Sequence, residues 1–203
     1  MNYIIIGEAG SGKDTVSSLL PGTRIAFADD LKLVARLLRI RDINGAIAYM
    51  GQLFDGKEPS DYRRRLRQFM CYPEDQGKDR RLLQDLGMWA REYYADIWID
   101  AVKAKVARCR TPVIITDCRF INEFQAFSDF HSIYVECSED VRVARLSQRD
   151  GGYDADSLMH VAESEIKGLK ELCGYRVINQ GSLDELRHNV DTLMAYIGFT
   201  MTN

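Results

Sequence analysis

Nine residues, Gly7-Glu8-Ala9-Gly10-Ser11-Gly12-Lys13-Asp14-Thr15, constrain this chain more than any other segment. They follow the apolar run Tyr3 to Ile6 and open a helical pattern, the setting that gives a GxxxxGK spacing its meaning. Glycines at 7, 10 and 12 let the backbone curl so that successive amide N–H groups point inward, and the helix start adds partial positive charge at the same place. Such a loop fits a triphosphate tail, with Gly10, Ser11, Gly12, Lys13 and Thr15 as its contacts. Lys13 supplies a compact cation that reaches the β- and γ-phosphates and stabilises charge as a phosphoryl group moves. Position 14 departs from the usual pattern, because a carboxylate stands where a hydroxyl is expected, with Thr15 one place later. Two readings of Asp14 stand side by side. It holds Mg²⁺ directly or through water, with Thr15 at the phosphates, or it is a first-turn acid favoured by the helix dipole by about 0.3–1 kcal/mol.

Further short apolar runs at Arg24 to Phe27, Pro112 to Thr116, Ser132 to Glu136 and Tyr175 to Asn179 read as strands separated by helical patterns. Strands alternating with helices predict an α/β fold with a five-stranded parallel sheet flanked by helices. The stretch from about 28 to 111 is too long for one crossover and must hold several helices. One begins near Asp29 or Asp30, and others span about 79–94 and 96–109, with loops expected at 51–61 and 71–78. In the last helix, Ser182 and Glu185 form a capping box, Leu186, Val190, Leu193 and Ile197 make an apolar stripe, and Gly198 is expected to stop it.

Charge and cysteine content exclude several classes of protein. Twenty-seven Lys and Arg against thirty Asp and Glu leave a formal charge of -3, which argues against a protein that coats nucleic acid through a basic surface. No stable nucleic-acid partner is expected. Five widely spaced cysteines without a CxxC pair indicate neither a disulfide framework nor a zinc knuckle, and fit a reduced, cytoplasmic setting. The start has no signal-peptide pattern, and no apolar run approaches a bilayer span, so no membrane partner is expected.

The third predicted strand ends at Asp117, followed by Cys118-Arg119-Phe120-Ile121-Asn122-Glu123. Ligands of open parallel sheets lie beyond the carboxyl ends of the strands, so Asp117 and Arg119 are expected at the same crevice as the glycine-rich loop. There Asp117 can organise metal-bound water, and Arg119 can clamp a phosphate bidentately. After the fourth strand, Arg142, Arg145 and Arg149 recur at i, i+3 and i+7 and share one helix face. Their alternative is a charged solvent face opposite Val143 and Leu146. No guanine-reading NKxD element follows a later strand, which argues against a GTPase-type switch.

Together, GSGKDT (Gly10 to Thr15), FADDLK (Phe27 to Lys32), LLQDLGMWAR (Leu82 to Arg91), DCRFINE (Asp117 to Glu123) and VINQGSLDEL (Val177 to Leu186) resemble phage-type deoxynucleoside monophosphate kinases, in order and over most of the chain. The resemblance implies a P-loop kinase fold in one domain: a core of about 1–28, 111–138 and 174–203, a helical acceptor-binding insertion of about 29–110, and a lid region of about 139–173. It also implies ATP and Mg²⁺, a deoxynucleoside monophosphate acceptor and, in many members, a homodimer. Catalytic roles then fall to Lys13, Asp117, Arg145 and Arg149, and metal binding to Asp14, Thr15 and Asp117. The nucleotide side gains Arg142, Arg145, Asn179 and Gly181. The acceptor side gains Lys32, Gln84, Trp89, Arg91 and Arg119, with Arg91 the first choice for the monophosphate. Trp89 also continues an apolar stripe and has a core reading, and Arg63, Arg64, Arg65 and Arg67 read as a solvated face. The polar stretch 150–157 reads as part of the lid, followed by His160 and Glu163. Within the fold, the alternative is a kinase of another small-molecule or nucleic-acid-base acceptor. Outside it, the alternative is a nucleotide-dependent binding module.

Overall fold

The computed structural model describes residues 1–73, 79–150, 165–166 and 168–202. The chain divides into two compact units, one formed by Met1–Ile25 with Cys109–Asn203 and the other by Ala26–Arg108. The sequence-predicted lid stretch beyond Asp150, with His160 and Glu163, lies outside the described residues.

The first unit is built on five strands: β1 (Tyr3–Ile6), β2 (Thr23–Ile25), β3 (Val113–Ile115), β4 (His131–Glu136) and β5 (Tyr175–Ile178). They pair in the order β2-β3-β1-β4-β5, and every pair is parallel. β1 and β3 are buried at every position, because a parallel sheet covered on both faces demands continuous aliphatic runs rather than alternation. On one face, Tyr3, Ile5, Ile133, Val135 and Val177 pack with Val16 and Leu20 of α1 (Lys13–Leu19) and its end, and with Leu186, Val190 and Ile197 of the last helix. Each fully buried aliphatic chain contributes about 1.5–3 kcal/mol. The chain leaves β1 toward β2 and β3 on one side and β4 and β5 on the other. The carboxyl end of β1 is therefore a topological switch point, where an open sheet leaves a crevice.

Several element ends differ from the sequence-based expectation, and four of them have a clear physical reason. Strand β2 starts at Thr23, whose N–H donates to Pro112 O at 2.7 Å. It stops at Ile25 rather than Phe27, because Ala26 N donates to the Asp29 carboxylate at 2.9 Å and the chain turns into α2 (Ala28–Arg39). The segment 51–54, expected as loop, is the end of α3 (Ile43–Phe54). That helix is capped by the Asp42 side chain on Gly45 N (2.9 Å) and closed by Asp55 in the left-handed region at φ 48°. The final helix runs from Leu183 to Thr202, past Gly198, because Gly198 does not take the left-handed conformation that would end it. The Ser182–Glu185 capping box forms as expected, with Glu185 N on Ser182 Oγ (3.2 Å) and Ser182 N on Glu185 Oε2 (3.1 Å).

The second unit holds α2, α3, α4 (Tyr62–Phe69), α5 (Arg80–Tyr93) and α6 (Ile97–Val106). Its centre is aromatic. Trp89 meets Phe54 edge-on at 5.9 Å between ring centroids and Phe69 at 5.6 Å, and Trp98 Nε1 donates to Gly87 O at 3.3 Å. Asp30 is buried on α2 and accepts from Tyr49 OH (2.5 Å) and Lys105 Nζ (2.9 Å). Arg39 presents its fork to Asp79 (Nε–Oδ2 2.9 Å, Nη2–Oδ1 2.5 Å) and also donates to Tyr72 O and Pro73 O, closing the approach to α5. Among the described residues no helix is long and apolar enough to cross a membrane.

Candidate phosphate-binding site

The loop between β1 and α1 curls at glycine positions. Gly10 and Gly12 sit at φ 80° and 93°, where a side chain is strained. Both are also crowded: a Cβ on Gly12 would lie 2.1 Å from Asn179 Nδ2, and one on Gly10 would lie 2.8 Å from Arg142 O. The glycines thus let neighbouring elements close onto the loop. Lys13 Nζ lies over the loop and donates to Gly7 O (2.5 Å) and Glu8 O (3.0 Å). Ser11 is 1% exposed, and its Oγ is buried without a hydrogen-bond partner.

The chain forms α7 (Ile121–Ala126) after β3, and two arginines of the next helix, α8 (Glu139–Asp150), brace this loop together with the end of β5. Arg142 is buried. Its Nη1 donates to Ala9 O (3.1 Å), and its Nη2 pairs with Glu8 Oε1 (3.1 Å). Arg145 Nη1 donates to Asn179 O (3.1 Å), and its Nη2 to Asn179 Oδ1 (3.2 Å). Asn179 Nδ2 in turn donates to Ser11 O (2.7 Å). Arg145, Asn179 and Ser11 therefore form a chain of hydrogen bonds from α8 through the end of β5 to the loop. On the other flank, the Asp14 carboxylate pairs with Arg24 Nη2 at 2.6 Å, and Arg24 Nε donates to Thr116 Oγ1 at 3.0 Å.

A protein-family model described as an AAA domain matches residues 4–166, which include this loop and four of the five strands. The chain belongs to the AAA domain family. No curated protein matches this AAA domain by sequence. Among solved structures it is similar to TT1252 from Thermus thermophilus, at 17% identity with 97% of each chain covered and a TM-score of 0.54. It is also similar to a dephospho-CoA kinase from Campylobacter jejuni, at 12% identity with 97% and 96% of the two chains covered and a TM-score of 0.50. The shared feature is the fold, an α/β arrangement of P-loop kinase type with a five-stranded parallel sheet flanked by helices.

The first unit of this AAA domain brings together Gly10, Ser11, Gly12, Lys13, Asp14, Thr15, Arg142, Arg145 and Asn179. Asp117 is half-buried just past the carboxyl end of β3, and Arg119 is exposed two residues on. Between them Cys118 is buried, and burial, with the Glu123 and Asp117 carboxylates, pushes its thiol well above the ordinary range. Burial likewise pushes the Cys173 thiol up to about 12. Neither is a thiolate nucleophile at neutral pH. Gly181 precedes the last helix, and a Cβ there would strike the Glu185 carboxylate of the capping box. The Arg149 side chain lies outside the described residues.

The acceptor-side candidates lie in the second unit. Lys32 is exposed on α2, and Gln84 and Arg91 are half-buried on α5. Trp89 is 4% exposed, and its contacts with Phe54, Phe69 and Tyr93 make it part of the aromatic core, so its core reading displaces the acceptor-side one. Arg63, Arg64, Arg65 and Arg67 are all exposed on α4.

Sequence reading missed Arg24, Glu8 and the Asn179 side chain. A signal for Arg24 existed in Asp14, since a carboxylate beside a phosphate loop calls for a cation. Nothing local marks Asn179 Nδ2 as a partner of Ser11.

Among the described residues no group of three His, Cys, Asp or Glu could hold a metal. Magnesium fits the loop nonetheless, because it keeps several waters and takes only one or two protein oxygens beside those of phosphates. The Asp14 carboxylate and the Thr15 hydroxyl are hard oxygens of that kind, and the orphaned Ser11 Oγ suits a phosphate oxygen.

The bracing arginine supports a prediction. Arg142→Met removes the guanidinium contacts to Glu8 Oε1 and Ala9 O, a loss of about 1.5–3 kcal/mol for a charge-assisted contact, and loosens the loop. Nucleotide affinity, measured with a fluorescent ATP analogue, is expected to fall about tenfold or more. Unchanged affinity would show that the loop holds its shape without this contact.

Proposed function

We propose that this chain transfers the γ-phosphoryl group of ATP to the 5′-phosphate of a deoxynucleoside monophosphate. The observation that carries the phosphotransfer reading is the braced loop. Lys13 reaches back over a glycine loop curled at Gly10 and Gly12, and the Ser11 hydroxyl within it is unpartnered, in a fold of P-loop kinase type. The acceptor class is supported by the resemblance of GSGKDT and DCRFINE to the phage-type kinases.

In this reading a phosphate oxygen of the acceptor attacks the γ-phosphorus in line, and the bond to the β–γ bridging oxygen breaks, leaving ADP. No side chain acts as nucleophile, so the chain contributes positioning and charge neutralisation. Lys13 Nζ moves from its own loop carbonyls to the β- and γ-phosphates. Arg145, held by Asn179 beside the loop, follows charge toward the leaving oxygen, with Arg149 as the second catalytic arginine. Asp117 and Arg119 stand at the strand end to orient the acceptor phosphate. Lys32, Gln84 and Arg91 of the helical unit carry acceptor recognition. Asp14 and Thr15 would hold magnesium, whose chemistry there is neutralisation of phosphate charge.

A coupled assay of ADP release, run with each deoxynucleoside and ribonucleoside monophosphate in turn, tests the proposal. Stimulation by one or more deoxynucleoside monophosphates is expected. Hydrolysis indifferent to every acceptor would assign the chain to nucleotide-dependent binding modules instead.

A further inference from the structure

The geometry points to Arg24 as a competitor of magnesium for the Asp14 carboxylate, a residue that sets how much metal the loop needs before it binds nucleotide tightly. The inference rests on the nucleotide-binding reading above and goes beyond it, since no motif of the loop contains Arg24.

Arg24 sits in β2 at the edge of the sheet, in register with Ile114 of the neighbouring strand. Its guanidinium has two ends in different surroundings. Nε is anchored on Thr116 Oγ1 at 3.0 Å, and Thr116 is 1% exposed. Nη2 holds Asp14 Oδ1 at 2.6 Å in the open, with the two side chains 53% and 73% exposed. The buried end fixes where the arginine stands, and the exposed end leaves its grip on Asp14 weak.

In the proposed function the Asp14 carboxylate, in the first turn of α1, is a magnesium ligand beside the triphosphate held by the loop. Without metal, two like charges would meet there, and the paired Arg24 offsets part of that repulsion. With Mg²⁺, the carboxylate is offered a compact divalent ion at short range in place of a delocalised single charge. The two cations repel each other and compete for the same oxygens. Arg24 therefore favours metal-free nucleotide and opposes the magnesium complex, and each cation lowers the affinity of Asp14 for the other by the same factor.

The sign of the Arg24 effect separates this role from two others. A guanidinium that binds phosphate directly would, when removed, weaken nucleotide binding with and without metal alike. One that only props β2 against β3 would change the melting temperature and leave the metal requirement where it was.

The test is a titration of a fluorescent ATP analogue against the full chain at a series of magnesium concentrations and in EDTA. Arg24→Gln is expected to lower the half-saturating magnesium concentration by about threefold to fivefold, the range that loss of one exposed ion pair allows, and to weaken binding in EDTA. Arg24→Lys, which cannot span Thr116 and Asp14 with one fork, is expected to shift in the same direction by less. In an Asp14→Asn background the Arg24→Gln shift is expected to vanish, as a double-mutant cycle requires of a direct pair. A magnesium requirement unchanged or raised in Arg24→Gln, or an equal shift with Asp14→Asn, would overturn the inference while leaving nucleotide binding intact. If the wild-type chain takes up no analogue under either condition, the functional reading itself falls and this inference falls with it.

Discussion

Replacement of Lys13 by alanine is expected to lower phosphoryl transfer by about 10²- to 10³-fold, the scale for removing one preorganised donor from a developing charge. The reason is positional. Lys13 is the first residue of α1 and reaches back over the loop it closes, with Nζ on Gly7 O and Glu8 O. Arg142, by contrast, contacts Ala9 O and the Glu8 side chain from α8. The same contacts are partly exposed and cost little to lose, so thermal unfolding is expected to stay close to wild type. Measuring kcat beside a melting curve checks both halves. Full turnover by a well-folded Lys13→Ala protein would remove the lysine from the mechanism.

Lys105→Met is expected to destabilise the helical unit by about 2–3 kcal/mol. Breaking a buried ion pair costs about 3–5 kcal/mol when a charge is left without its partner, and the lower figure reflects a lysine side chain that is 35% exposed. Asp30 is the buried member, at 4% exposure, and one of its carboxylate oxygens has no hydrogen-bond partner. Among the described residues the Tyr49 hydroxyl then remains to stabilise the negative charge. Urea unfolding measures the loss, and Asp30→Asn combined with Lys105→Met is expected to recover part of it. Recovery distinguishes an uncompensated charge from lost packing of the lysine stem.

The same cluster carries a pH dependence. Burial, reinforced by the neighbouring Asp30 carboxylate, pushes Tyr49 up to about 12, and burial does the same for Tyr134. A tyrosine whose pKa is raised by folding is favoured in its neutral form. The stability it contributes is fully present below about pH 10 and is lost as pH rises from there through about 12. Tyrosinate absorbance is expected to show Tyr49 and Tyr134 among the last of the ten tyrosines to ionise, with unfolding accompanying them. Early ionisation of Tyr49 in a folded protein, followed through Tyr49→Phe, would contradict its pairing with Asp30.

What could be read without coordinates was local. The runs Tyr3 to Ile6 and Pro112 to Thr116 contain the buried strands β1 and β3 because β-branched and aromatic residues suit a sheet covered on both faces. The glycine spacing before Lys13 marks a curled loop, because that backbone path is strained for other residues. Ser182 and Glu185 predict a helix start, because the two groups they satisfy are only three positions apart. Helix boundaries in the second unit were less legible. Segment 51–54 carries a loop-like Gly51, but Met50 and Phe54 are fully buried, so packing extends the helix over it.

The amino-acid order by itself thus determined the parallel sheet, the phosphate loop and the lysine at its mouth, since each depends on residues within a turn or two of one another. Tertiary structure alone decided what holds that loop. Arg142 meets Ala9 across 133 positions, Asn179 meets Ser11 across 168, and Arg24 reaches Thr116 across 92. Such pairings leave no periodic trace in the chain, because they arise only when sheet order brings all five strands, β2-β3-β1-β4-β5, side by side.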